Sequence, residues 1–268
     1  MSPQDSRTLV VMPTYNESAT LPTTLERLRE HVPWSDVLVV DDASPDGTGD
    51  LADTLARDDA HVHVLHRAGK EGLGPAYVAG FTWALERDYE IVVEMDADGS
   101  HRAMDLPKIL TMLDAYPDAA LVLGSRWIAG GRVENWATSR KLLSRAGNSF
   151  VHTALGLPLG DATGGFRAYR STALRALDLG SIASQGYCFQ VDMAWRVYQT
   201  GAKVIEVPIT FVEREAGESK MTKGIVREAF VSVSVWGAKH RAQQARDLVG
   251  KGWRATRVAL REARGPRR

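Results

Sequence analysis

Cys188 is the only cysteine in a chain of 268 residues. One thiol excludes a disulfide framework and a cysteine-based zinc site, and it fits a reducing compartment. No stretch of 18 or more apolar residues occurs, so no transmembrane helix is expected. The most apolar late segment, residues 228–237, is too short and is interrupted by Ser232 and Ser234. Residues 1–7 are polar, with no apolar stretch ahead of a cleavage site, so no secretory signal is expected. Net charge is missing too: 33 Lys and Arg balance 33 Asp and Glu. The balance gives no reason to expect nucleic acid as a partner. There is no P-loop. Where a dinucleotide-binding fold carries its glycine fingerprint, the first apolar run ends in Pro13-Thr14-Tyr15-Asn16-Glu17. The nearest substitute, Gly72-Leu73-Gly74, follows the third run and has Tyr77 in place of the last glycine. Dehydrogenase and kinase readings fail here.

What is present is ordinary globular composition, 44% hydrophobic and 25% charged. A chain of this length buries a sizeable core without staples. Residues 8–12, 37–40, 62–65, 91–95 and 121–123 are short apolar runs bounded by turn or polar residues, the pattern of buried parallel strands. Between them apolar residues recur at helical spacing, as in Leu21, Leu25, Leu28 and in Leu106, Ile109, Leu110, Leu113. This alternation predicts an α/β fold with a mostly parallel sheet flanked by helices. After Gly124 the alternation breaks down. A helix is expected over 140–155 with loops on either side, then a helix over 189–198, a strand over 204–207 and a polar loop through Lys220.

Ligands in such folds bind beyond the carboxyl ends of the strands. The chemistry there is acidic. Asp96-Ala97-Asp98 follows the fourth strand, and two carboxylates one residue apart can both reach a divalent cation such as Mg²⁺ or Mn²⁺. The alternative is a turn held by Asx hydrogen bonds and Gly99. Asp41 and Asp42 follow the second strand, where a carboxylate can accept from a nucleobase N–H or a ribose hydroxyl, or serve the β-turn Ser44-Pro45-Asp46-Gly47. Tyr15 offers a ring for base stacking and Glu17 a further acceptor. Arg126 stands at the end of the fifth strand, where a planar guanidinium can bind phosphate bidentately. His101 reads as a hydrogen-bonded turn residue and Cys188 as core.

Together these blocks resemble glycosyltransferase family 2, with its GT-A fold, and within it the polyprenol (dolichol) phosphate mannose synthases. The resemblance spans roughly residues 7–240. Beyond the three acidic turns it is carried by Gly124-Ser125-Arg126, Gly130-Gly131-Arg132-Val133-Glu134-Asn135-Trp136, Gly164-Gly165-Phe166 and Gly217-Glu218-Ser219-Lys220. It implies inverting transfer of mannose from GDP-mannose to a polyprenyl monophosphate. Pro13, Tyr15, Glu17, Val40, Asp41, Asp42 and Ala97 would hold the donor with Asp96 and Asp98, which would also bind Mg²⁺ or Mn²⁺ on its diphosphate. Arg126, Arg140, Arg214 and Lys220 would handle donor and acceptor phosphates, Arg126 and Arg140 taking the acceptor's, with Asp98 and Arg126 closest to the chemistry. Ser100 stands where the family often has Gln as a third metal ligand. A UDP-sugar transferase on the same fold and an inactive nucleotide-sugar-binding relative remain as alternatives.

A lipid acceptor requires access to a membrane. From Ile225 onward apolar residues fall on one helical face, at 225, 226, 229, 230, 233 and 236, ending near Trp236. Residues 239–268 hold ten Lys and Arg, with Asp247 and Glu262 the only acids. Zero net charge is therefore the sum of a body at −8 and a tail at +8. The expected organisation is a catalytic domain over 1–222 and an amphipathic, basic segment over 223–268. That segment, with Trp253 in it, would meet an anionic bilayer from its cytoplasmic face, pack on the catalytic domain, or dock a membrane-protein partner.

Overall fold

The computed structural model describes residues 6–182, 184, 186–213 and 229–242. Strands and helices alternate through β1 (Thr8–Thr14), α1 (Leu21–His31), β2 (Asp36–Asp41), α2 (Thr48–Asp58), β3 (Val62–His66), α3 (Leu73–Glu86), β4 (Ile91–Glu94), α4 (Leu106–Ala115) and β5 (Ala119–Ser125). There follow β6 (Arg132–Glu134), α5 (Thr138–Leu155), β7 (Arg167–Arg170), α6 (Ser171–Arg175), α7 (Gly186–Gln199), β8 (Lys203–Pro208) and β9 (Thr210–Val212). Residues 229–242 form a further helix, α8.

The main sheet runs β3-β2-β1-β4-β7-β5-β8, with β6 and β9 paired in a second, two-stranded sheet. All main-sheet pairs are parallel except those of β7, which lies antiparallel between β4 and β5. Both faces are covered, which is why the strands read as nearly continuous apolar runs. Val10, Met12, Val37, Val39 and Val93 pack under α1, α2 and α4. Leu9, Val11, Leu38, Val40 and Val92 pack under α3, α5 and α7. Alternate residues of one strand thus feed opposite core layers.

The five apolar runs of the first half all form strands. The second half holds three strands that the sequence pattern reads as loop. In β7 the reason is Arg167 and Arg170, which give a central strand a polar signature. Arg167 is nonetheless fully buried, because it donates to the carbonyls of Gly164, Ala162 and Gln190. Arg170 likewise donates to those of Ala119 and Leu113. The other two, β6 and β9, have three residues each, too few for a period to register.

The apolar stripe expected from residue 225 is described only from 229. There it packs on the catalytic body: Val233 is buried, Trp236 stacks on Trp195 at 6.0 Å between centroids, and Phe230 stacks on Phe150 at 4.4 Å. The domain boundary expected at 222/223, Trp253 and most of the basic tail lie outside the described residues, as do Arg214 and Lys220. No helix among the described residues is long and apolar enough to cross a membrane.

Candidate active site

The strand order reverses at β1: β2 lies on one side of it and β4 on the other. A crevice therefore opens at the carboxyl ends of β1 and β4, the position where open α/β sheets bind ligands. The chain leaves β1 through Pro13 and Tyr15, with Asn16 in the left-handed region (φ 62°). Lys70 Nζ sits 3.8 Å from the centroid of the Tyr15 ring. Glu17 precedes α1 by one turn, its carbonyl accepting from Thr20 and Leu21 N–H, while its own N–H donates to Thr48 Oγ1 at 3.0 Å.

At the end of β2 the two aspartates divide their work. Asp41 is buried and accepts from Thr14 Oγ1 (3.0 Å), Ser44 Oγ (2.6 Å) and Ser44 N–H (3.0 Å), which fixes the turn. Asp42 accepts from Arg67 Nη1 at 2.6 Å. Burial raises the Asp42 carboxyl above its ordinary value, and Arg67 offsets only part of that. Asp46 closes the turn. Its slight burial is outweighed by hydrogen bonds from Thr48 and Ser18, which hold it down to about 2.

At the end of β4, Thr24 of α1 donates to the Ala97 carbonyl at 3.1 Å and pins the bend that carries the acid pair. Asp98 is buried and accepts the Ser100 N–H at 3.0 Å. Asp96 is more open, and its Oδ1 accepts from the Tyr77 hydroxyl at 3.3 Å. His101 stacks on Phe166 and meets the edge of Phe211. Its Nδ1 accepts the Asp96 N–H at 3.0 Å, and burial pushes its pKa below the ordinary value. That spends the Nδ1 lone pair on the backbone and makes His101 a turn residue, as expected. Glu94, fully buried two residues before Asp96, is pushed up to about 7 by burial, against the pull of Arg167.

Ser100 Oγ is fully buried beside Asp98 and has no hydrogen-bond partner among the described residues. Among the described residues no three His, Cys, Asp or Glu side chains converge. The site thus offers two carboxylates and a buried, unpartnered hydroxyl. That donor set fits a hard divalent cation that keeps water and substrate phosphate as its other ligands.

These turns identify the chain. The family model for "Glycosyl transferase family 2" matches residues 9–178. The chain belongs to glycosyltransferase family 2. It is 58% identical over 244 residues to an undecaprenyl-phosphate mannosyltransferase of Micrococcus luteus, an alignment covering 91% of this chain and 99% of that one. It is 50% identical, with 91% of both chains covered, to a polyprenol monophosphomannose synthase of Mycolicibacterium smegmatis. Solved structures share the fold. A Pyrobaculum calidifontis mannosyltransferase in complex with GDP-Man and Mn²⁺ gives a TM-score of 0.54 at 21% identity, covering 95% of this chain and 80% of that one. A Mycobacterium tuberculosis glucosyl-3-phosphoglycerate synthase with Mn²⁺, UDP-Glc and phosphoglyceric acid gives 0.62 at 17%, covering 87% and 79%.

Beyond β5 this glycosyltransferase presents arginines in paired form. Arg126 is buried and meets Asp161 fork to fork, Nε to Oδ2 at 2.6 Å and Nη2 to Oδ1 at 2.7 Å. Its backbone N–H also reaches Asp161 Oδ2, and Nη2 donates to Thr163. Burial would raise the Asp161 carboxyl, but the Arg126 guanidinium outweighs it and holds the group below its ordinary value. Arg140 stacks over Trp136 at 3.9 Å and is ion-paired with Glu213. Phe211 packs against both Arg126 and His101, so it joins the arginine side of the site to the acid side.

From these arginines an open groove of about 340 Å³ runs between α5 and α8. Leu143, Phe150, Val151, Val191, Phe230 and Val233 line it, with Arg126 and Arg140 also in its wall. The sequence reading missed Asp161, Glu213, Arg67 and Tyr77. Arg67 follows β3, so the strand-end rule alone reaches it. The others carry no local signal.

Proposed function

We propose that this glycosyltransferase transfers mannose from GDP-mannose to a polyprenyl monophosphate, in one inverting, metal-dependent step. The observation that carries the lipid acceptor is the groove between α5 and α8, apolar along its length and bordered by Arg126 and Arg140. A phosphate headed by an isoprenoid chain matches that division of polarity. The relatives are named undecaprenyl-phosphate mannosyltransferase and polyprenol monophosphomannose synthase, which supports the same assignment.

In the donor half, Tyr15 offers its ring to the nucleobase, and Pro13, Glu17, Val40, Asp41 and Asp42 shape the nucleoside pocket. Asp96 and Asp98 would hold Mg²⁺ or Mn²⁺, with Ser100 able to contribute its hydroxyl; the cation, when bound, neutralises charge on the diphosphate leaving group. Ala97, between them, is buried and keeps the bend closed against α1. In the acceptor half, the nucleophile is a phosphate oxygen already anionic near neutral pH, since a phosphate monoester has a second pKa of about 6. No side-chain base is then required. Arg126 and Arg140 orient the phosphate for in-line attack, and Arg214 and Lys220 complete the phosphate contacts. The chain's contribution is positioning of two anionic groups and stabilisation of developing charge.

Access to the lipid comes from the same face. Leu142, Leu143, Phe230 and Val231 are exposed, and the two helices that carry them also carry Arg145, Lys239 and Arg241. Exposed apolar side chains on helices that also bear basic ones suit the interface of an anionic membrane on its cytoplasmic side. Incubating labelled GDP-mannose with polyprenyl phosphate, with and without chelator, tests the reading, alongside UDP-glucose and UDP-N-acetylhexosamines as competitors. Label entering the lipid fraction only from GDP-mannose, and only with metal, is expected. Efficient transfer from a UDP-sugar instead would move the assignment to another donor.

A further inference from the structure

Tyr77 stands where a dinucleotide-binding helix would carry its last glycine. It is fully buried in α3, its ring packed between Phe81 at 5.9 Å and Phe189 at 5.8 Å, the latter stacked nearly parallel to it. From this apolar cluster its hydroxyl reaches Asp96 Oδ1 at 3.3 Å. Gly74, three residues earlier, allows the approach. A Cβ there would lie 2.5 Å from the Ser184 carbonyl oxygen and 3.1 Å from the Phe189 ring, so only glycine lets α3 seat this close to α7. Gly72-Leu73-Gly74 and Tyr77 therefore work together to bring a phenol under the acid pair.

The two carboxylates are held from different sources. Asp98 takes its orientation from a backbone N–H two residues away, inside its own turn. Asp96 Oδ1 takes its hydrogen bond from a side chain on another element, Tyr77 of α3, while His101 Nδ1 lies 3.9 Å from Oδ2. We propose that Tyr77 is the positioning residue that fixes Asp96 for the divalent cation. A carboxylate with one oxygen tied is presented in a single orientation, so less freedom is lost when it ligates. The inference rests on reading Asp96 and Asp98 as cation ligands.

Mn²⁺ binding to the full-length protein, with GDP present and no acceptor, is measured by loss of the free-ion EPR signal for wild type, Tyr77→Phe and Tyr169→Phe. Phenylalanine keeps the ring packing at both positions. Tyr169 is as buried as Tyr77, but its hydroxyl accepts from Arg167 and meets Glu94 rather than either member of the acid pair. Tyr77→Phe is expected to weaken Mn²⁺ binding about tenfold, the scale of lost support to a metal ligand, with turnover recovered at saturating metal. Tyr169→Phe is expected to stay within twofold of wild type. Unchanged Mn²⁺ affinity in Tyr77→Phe would overturn the assignment, and so would equal weakening in both variants, which would mark a general loosening of the core. A wild type that binds neither Mn²⁺ nor Mg²⁺ would instead defeat the cation reading itself.

Discussion

The donor and acceptor halves of the site differ in how far their charges depend on local partners. On the donor side each turn carries a local fixing partner, with Ser44 three residues from Asp41, Thr48 two from Asp46 and Ser100 two from Asp98. Thr14, Arg67 and Tyr77 add contacts from elsewhere in the chain. On the acceptor side the fixing partners are remote, Asp161 lying 35 residues from Arg126 and Glu213 lying 73 from Arg140. Turns of the first kind shape a carboxylate pocket wherever a strand ends. Pairs of the second kind exist only once the whole fold has closed. Substitutions in the donor half should therefore alter chemistry with little change in stability, while those in the acceptor half should couple the two.

The sharpest break of that contrast sets Asp98→Asn against Asp161→Ala. With Asp98 in its proposed role as a cation ligand, Asp98→Asn should lower kcat roughly 10³-fold, as removing a transition-state charge contact does, with the thermal midpoint nearly unmoved. Activity within tenfold of wild type would remove Asp98 from the reaction. Asp161→Ala leaves Arg126 buried without its counter-charge, which costs about 3–5 kcal/mol. Denaturant titration should show that loss directly; a midpoint equal to wild type would mean that the pair does not hold the acceptor half together.

Smaller effects sharpen the acceptor side. Leu143 is 49% exposed on the groove wall. Leu143→Glu should raise KM for a long-chain acceptor about tenfold, the scale of one lost apolar side-chain contact, with KM for the donor unaltered. Equal KM values for the acceptor would place the chain elsewhere. In the proposed acceptor site Glu213 would compete with the phosphate for Arg140, in a partly exposed pair, so Glu213→Gln should lower the acceptor KM by a few-fold, the scale of about 0.5–1 kcal/mol. A raised KM would show that Glu213 positions Arg140 productively. The smallest effect is in the donor turn. Asp46 is held down to about 2 from an ordinary value of 3.8. Its stabilising contribution is present above 3.8 and is lost as pH falls through about 2. Stability against pH should be flatter over that window in Asp46→Asn than in wild type.

The same contrast explains what could be read in the sequence. The sheet's first half and the acid pair were legible because apolar runs and short polar turns are local signals. The α5 helix was legible over most of its length for the same reason, although it begins two residues earlier, at Thr138. β7 was not, because Arg167 reads as solvent-facing until its three carbonyl partners are known. Nor was the pairing of Arg126: the fork that suits a phosphate equally suits Asp161, and spacing along the chain does not distinguish them. Tyr77 was visible only as a mismatch to a motif the fold does not use.

The most direct test of the account is mannosyl transfer itself. Purified protein is given labelled GDP-mannose, polyprenyl phosphate in anionic vesicles, and Mg²⁺ or Mn²⁺. Chelator-sensitive label in a lipid that yields β-mannose phosphate is the predicted result. No lipid-linked label with either metal, or an α-linked product, would contradict it.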